Sequence, residues 1–323
     1  MKFKNPNSAT LRLPLKQAFL HRYYVTGIAM LFMLLPRLSS GQGYIEGVNF
    51  GYEGMPLKIE TPQGDQKFTG SNFKMSATVP IFLTPDKSKY LLVGGNLEVF
   101  DFGGTHPDFE VKTVYSISPT LGFSTMLSRK FNLTTILMPF MNSDYKEVKG
   151  SDIRFGAVVR GTYKVSDHLS WRGTLGYRKQ FYGPQYIVLV GLDWKVNDKW
   201  RLFGDLPSSA TISYSINKKV NTGFNLSVQQ TSYRLNNQDR YFEYNSVNPG
   251  LFAEYYVSKN WAIRATAAYS LIRNMEIYNK NDQTDGFIDF YEMGNRANPL
   301  NPEVTSGPTF KIGLSYRIVP GKK

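Results

Sequence analysis

The sequence predicts an all-β protein, a transmembrane antiparallel up-and-down β-barrel of about fourteen strands, or about twelve if its weakest members fail. Three observations predict it. Segments of roughly ten residues alternate polar with apolar side chains along most of the chain, the length a tilted strand needs to cross a hydrocarbon layer. Short polar turns flanked by aromatic or aliphatic side chains recur at one end of these segments, and longer polar connections recur at the other. The composition is that of strands and turns, with 21 Tyr, 22 Phe and 28 Gly, and the absence of Cys excludes disulfides, thiol nucleophiles and thiolate metal sites.

The first 41 residues read as a leader. Tyr23 to Leu35 is an apolar run of 13 residues behind Lys16, His21 and Arg22, and Leu38-Ser39-Ser40-Gly41 supplies small residues for cleavage before Gln42. The run is too short for a membrane anchor, and no Cys follows it to carry a lipid. No later segment is apolar enough for a transmembrane helix, so residues 42–323 are expected to form one barrel domain. The leader holds six basic residues and no acid, so the rest of the chain carries +7 of the formal +13. Those charges are scattered singly along strands rather than clustered, which speaks against a nucleic-acid partner.

Strands are expected near 44–52, 71–82, 89–101, 109–127, 131–142, 152–165 and 169–182, then 185–196, 199–206, 208–217, 220–234, 247–257, 261–277 and 307–319. Ile153, Phe155, Ala157, Val159, Gly161 and Tyr163 oppose Arg154, Gly156, Arg160 and Lys164; Trp171, Leu175 and Tyr177 oppose Arg172, Thr174 and Arg178. The first strand and the 199–217 hairpin, interrupted by Gly204-Asp205-Leu206-Pro207, are the weakest. The short turns fall at 83–88, 127–131, 163–169, 194–200, 216–220 and 256–261, with Trp171, Trp194, Trp200 and Trp261 at strand ends as an interfacial girdle. The long connections are expected at 102–108, 142–151, 236–248 and 279–306.

In the last strand, Phe310, Ile312, Leu314, Tyr316 and Ile318 share one face, and Lys311, Gly313, Ser315 and Arg317 the other. Gly313, Tyr316 and Ile318 resemble the C-terminal signal read by the barrel-assembly machinery, although Val319 to Lys323 follow where such chains often stop. With the leader and the aromatic-flanked turns, residues 44–319 resemble the uncharacterised outer-membrane β-barrel proteins (a domain of unknown function) of Gram-negative bacteria. That resemblance implies outer-membrane localisation, the Sec translocon and assembly machinery as partners in biogenesis, and outer-membrane lipid around the barrel. It implies no catalytic residue.

Chemistry is sparse. His21 lies in the leader, His168 in a turn, and His106, near Asp101 and Asp108, in a long connection, so no catalytic set, metal site or cofactor is expected. Asp282, Asp285 and Asp289 are the one acidic grouping with any calcium character. The informative polar set points inward: Arg154, Arg160, Arg172, Arg178, Arg264 and Arg317, with Lys164 and Lys311, outnumber the inward acids Glu98, Asp152 and Asp193. A lumen of that sign draws anions. The expected function is a passive, porin-like channel or transporter for small solutes, anionic or amphiphilic. The alternatives are a structural or surface-interaction barrel without conductance, its long loops doing the binding, and more distantly a lipid-modifying enzyme.

Overall fold

The computed structural model describes residues 45–60, 64–103, 109–235 and 239–318; the leader, His106 and the tail from Val319 lie outside them. Strands β1 (Ile45–Ile59), β2 (Gln66–Phe82), β3 (Lys89–Gly103), β4 (Thr113–Met126), β5 (Phe131–Ser143) and β6 (Ile153–Lys164) pair antiparallel in succession. So do β7 (Leu169–Lys179), β8 (Pro184–Lys195), β9 (Trp200–Leu206), β10 (Ser209–Ser215), β11 (Val220–Leu235) and β12 (Arg240–Tyr256). β12 continues onto two collinear pieces, β13 (Trp261–Ser270) and β14 (Ile272–Asn279), one stave broken at Leu271. A small hairpin, β15 (Gly286–Ile288) and β16 (Tyr291–Met293), precedes β17 (Gly307–Ile318).

β17 closes the ring. It pairs with β13 from Tyr316↔Trp261 to Gly307↔Ser270, and with β1 from Ile318↔Ile45 to Phe310↔Gly54. The result is a closed antiparallel barrel of fourteen staves, each paired to the next around the whole ring. Both the first strand and the 199–217 hairpin form, so the twelve-strand alternative does not hold. The outward face is apolar: Val79, Leu121, Leu137, Phe155, Leu175, Val190, Leu251 and Phe310 are each more than half exposed. A continuous belt of that kind around a sheet is stable against hydrocarbon, not water. At its turn end stand Trp171, Trp200 against Tyr214 at 4.8 Å, and Trp261 against Tyr316 at 5.1 Å.

Two expectations need correction. The connection expected at 236–248 is mostly strand, because β12 begins at Arg240 and pairs with β11 up to Leu235↔Arg240. Its Tyr, Phe, Glu and Asn run looked like polar loop because both of its faces are covered. The second correction concerns the rule that apolar side chains face lipid and polar ones the lumen. It fails in the loop-side half, where Met55, Leu57, Ile59, Phe100, Phe102, Tyr233, Phe242 and Met275 point inward and form a buried cluster.

The cause is the shortness of β9 and β10. Their tip at Leu206–Ser209 reaches only Val190 on β8 and Ser227 on β11, whereas β8 continues to Pro184 and β11 to Leu235. Above that tip β11 has no wall neighbour on its β10 side and folds inward. From Gln230 to Leu235 it is buried on both faces. Tyr233 and Leu235 pack with the apolar cluster. The back of the strand meets the inward faces of β5 to β8: Asn142 Nδ2 donates to Thr231 Oγ1 at 3.1 Å, Ser232 Oγ to Gln180 Oε1 at 3.0 Å, and Gln185 Nε2 to Gln230 Oε1 at 2.9 Å. Arg234 pairs in parallel with Ser143. The infolded sheet of β11, β12 and β14 therefore divides the loop-side interior into a dry chamber against β1 and β3 and a polar chamber against β5 to β8. Arg273, 2 % exposed, braces the floor of the dry side by donating to Pro56 O, Gly307 O, Pro308 O and Thr309 Oγ1.

Candidate functional site

The six basic residues predicted for the lumen all lie on inward faces, but in two different states. Four share carboxylates. On the β6–β9 wall, Arg172 Nε donates to Asp205 Oδ1 at 2.8 Å and Arg160 approaches Oδ2 of the same group at 3.4 Å. Asp205 fits there because residue 191 is glycine: a Cβ at Gly191 would stand 2.0 Å from Asp205 Oδ1. On the β12–β17 side, Arg264 and Arg317 both hold Glu254 Oε2, at 2.7 and 2.6 Å, and Arg317 also donates to the Tyr256 hydroxyl. Lys311 meets Glu53 at 3.2 Å, and Lys74 meets Glu98 at 3.1 Å. Asp193 pairs with Arg201 at 2.6 Å. Each guanidinium pair thus shares one carboxylate between two cations, with Glu46 a looser second partner of Arg317 at 3.9 Å.

The remaining two, Arg154 and Arg178, are different. Among the described residues neither has a hydrogen bond or an ion pair, and Nε of Arg154 is buried without a partner. Aromatic faces hold them instead. Arg154 lies over Phe181 at 4.6 Å and Arg178 over Phe140 at 5.1 Å, a placement that orients a guanidinium while leaving its N–H fork open. The register sets Arg178 opposite Gly156 on β6, two residues from Arg154, so the two are diagonal neighbours on one wall. The open positive charge of the polar chamber is therefore concentrated on β6 and β7.

A cavity of about 210 Å³ opens beside them at the loop end, lined by Arg154, Phe181, Arg234, Arg240, Tyr241 and Lys280. Three of its four cations have acids: Arg234 with Asp152 at 3.5 Å, Arg240 with Glu110 at 2.7 Å, Lys280 with Asp239 at 3.5 Å. A second cavity of about 330 Å³ lies at the turn end, lined by Arg129, Lys130, Lys164, His168 and Arg201 among others. The 279–306 connection caps the polar chamber. Its Arg296, over the Tyr278 ring at 4.0 Å, ties down to Glu243 at 2.6 Å and Glu292 at 2.8 Å. Burial opposes the charge of Arg296, but the Glu243 carboxylate more than offsets it and holds the guanidinium above its ordinary pKa.

The three aspartates with calcium character do not converge. Asp282 accepts from Asn279 Nδ2, Asp289 accepts from the Val188 backbone, and no three metal-ligating side chains cluster among the described residues. Of the inward acids, Asp205, Glu254 and Glu53 escaped the sequence reading. Asp205 sits on the same face as Arg201 and Phe203, a period-2 signal obscured by Gly204 and Pro207. Gly313 and Tyr316 stand in the closing strand, paired with Gly51 and Val48, and Ile318 ends it against Ile45.

A family profile described as a domain of unknown function (DUF6268) matches residues 65–317. No curated protein matches the sequence. Among solved structures, the chain is similar to the KdgM porin at 12% identity, covering 83% of this chain and 98% of that one with a TM-score of 0.34. An outer membrane channel from Pseudomonas putida F1 aligns at 8% identity over 87% of this chain and 100% of that one, with a TM-score of 0.42. The P. putida toluene transporter TodX aligns at 10% identity over 86% and 91%, with a TM-score of 0.40.

Proposed function

We propose that this chain, which belongs to the DUF6268 family, is an outer-membrane channel for small anionic solutes that passes them along the polar chamber. One observation carries the reading: Arg154 and Arg178 lie over aromatic rings on the inner wall, and among the described residues neither has a carboxylate in ion-pair contact. A desolvated, unpaired cation is costly to keep. A transient counter-ion in transit is the partner that such a wall lacks. The paired sets below it, two guanidinium groups to one carboxylate at Asp205, extend the positive bias toward the turn end without trapping an anion.

The apolar outer belt supports insertion in the outer membrane. The leader before Gln42 supports export by the Sec translocon, and Gly313, Tyr316 and Ile318 support hand-over to the assembly machinery. A second reading, a barrel without conductance, draws on the infolded β11, which packs the loop-side interior.

Reversal potentials in planar bilayers under a potassium chloride gradient separate the two. Stepwise current with chloride preferred over potassium is expected, and the preference shrinks in Arg154→Gln/Arg178→Gln. Silence at every voltage supports the non-conducting barrel, and potassium preference overturns the role given to the two arginines.

A further inference from the structure

The wall above the β9–β10 tip is not made of wall strands. β8 and β11 diverge there, joined across the gap by the Gln185–Gln230 hydrogen bond, and the free edge of β8 is covered by the β15–β16 hairpin. Along the β8 edge that cover is short: two parallel ladder pairs, Phe287↔Gln185 and Ile288↔Tyr186, plus Asp289, whose amide donates to Tyr186 O at 2.8 Å and whose Oδ1 accepts from the Val188 amide at 3.0 Å. Off that edge the Thr284 amide donates to Tyr182 O at 2.9 Å, and Arg296 holds Glu292 of β16 at 2.8 Å. Every true wall stave is held by at least six such pairs on each side. The height matters. Val188 and Val190 on β8 belong to the outward apolar belt, so the gap opens at the level of that belt. The hairpin itself turns Ile288, Phe290 and Tyr291 outward, at 45%, 38% and 74% exposure, and buries Phe287 against Tyr182 at 4.8 Å. It is an exposed apolar patch on the barrel wall, not the polar surface loop expected of residues 279–306.

Behind that patch lies the polar chamber, where open cations sit on aromatic faces. A chamber that pairs positive charge with rings, covered on one side by a short hairpin with an apolar outer face, fits a solute with an anionic head and an apolar tail. We propose that amphiphilic anions of the fatty-carboxylate class leave the chamber sideways, between β8 and β11, when the β15–β16 hairpin lifts from the β8 edge. The proposal rests on the reading that the chamber admits anions. Arg296, fixed to Glu243, also holds Glu292 of β16 at 2.8 Å, so the hairpin swings about that ion pair as β15 leaves β8.

The chain has no Cys, so a cross-link can be placed without background. In Tyr186→Cys/Ile288→Cys, residues paired in the ladder become bridged and the hairpin is locked; Val188→Cys/Asp289→Cys places a second bridge on the same edge. Uptake of radiolabelled laurate by cells carrying the barrel is measured oxidised and reduced, beside chloride current in planar bilayers. Laurate uptake falling to the level of cells without the barrel, returning on reduction and leaving the current unchanged, is the expected result. Equal uptake locked and unlocked overturns the lateral exit, and so does a lock that abolishes uptake and current together. Laurate uptake in unlocked cells no faster than without the barrel overturns it too. Absence of current in every form, with lock-sensitive laurate uptake, sinks the small-anion channel and leaves the lateral exit standing.

Discussion

Phe100 and Arg178 both point into the loop-side half of one barrel, yet their surroundings are opposite. Phe100 is fully buried, edge-on to Tyr244 at 4.8 Å and stacked with Phe102 at 5.8 Å, with no polar atom to satisfy. Arg178 keeps a charged fork over Phe140 at 5.1 Å and makes no ion pair among the described residues. The infolded β11 separates them, presenting Tyr233 and Leu235 to one side and Gln230, Ser232 and Arg234 to the other. The dry chamber is closed by shape and contributes stability through burial; the polar chamber is kept open in charge and has little to contribute to folding. One barrel wall can thus enclose both a dry core and a charged chamber, provided a strand folds between them.

The largest effect belongs to the dry side. Phe100→Ala is expected to cost about 3–5 kcal/mol, read as a lower urea midpoint for loss of the heat-modifiable gel band. A smaller cost is expected where the polar chamber is tightly fitted. Gly191→Ala drives a methyl into the Asp205 carboxylate and should cost about 1–3 kcal/mol while loosening Arg160 and Arg172. Arg178→Gln should change stability by less than about 0.5 kcal/mol, because no partner is orphaned, yet shift the reversal potential toward non-selectivity. If Arg178→Gln instead destabilises as much as Phe100→Ala, the two chambers are one core and the contrast is lost. Raising the salt on both sides should weaken wild-type anion preference, since screening shortens to a few ångströms near 1 M.

The barrel and its closing strand were legible because the turn-side half obeys a single period-2 rule, from Phe155 and Val159 against Arg160 to Ile312 against Lys311. The basic inward set was legible for the same reason. What was not legible follows from the infold. Arg240 to Ser246 read as a loop because a strand covered on both faces shows no clean alternation, whereas the strand expected over 220–234 is present but gives no sign in sequence that it folds inward. Asp205 and Glu254 were missed because a partner two staves along the wall leaves little local trace: Asp205 lies 33 residues from Arg172, and Glu254 lies 63 from Arg317, although its register partner Arg264 is only 10 residues on. Likewise, nothing near Ile288 in sequence signals that its hairpin will meet β8, 101 residues away by the Asp289–Val188 contact.

The division of the interior depends on β11 crossing to β5, six staves away around the wall. Ser143 and Arg234 are Cα partners only if it does. In Ser143→Cys/Arg234→Cys, isolated from oxidising conditions, an infolded wall predicts a disulfide in nearly every molecule, seen as a mobility shift that reductant reverses. Two free thiols that react fully with maleimide would mean that β11 stands in the outer wall, and that the two chambers are one.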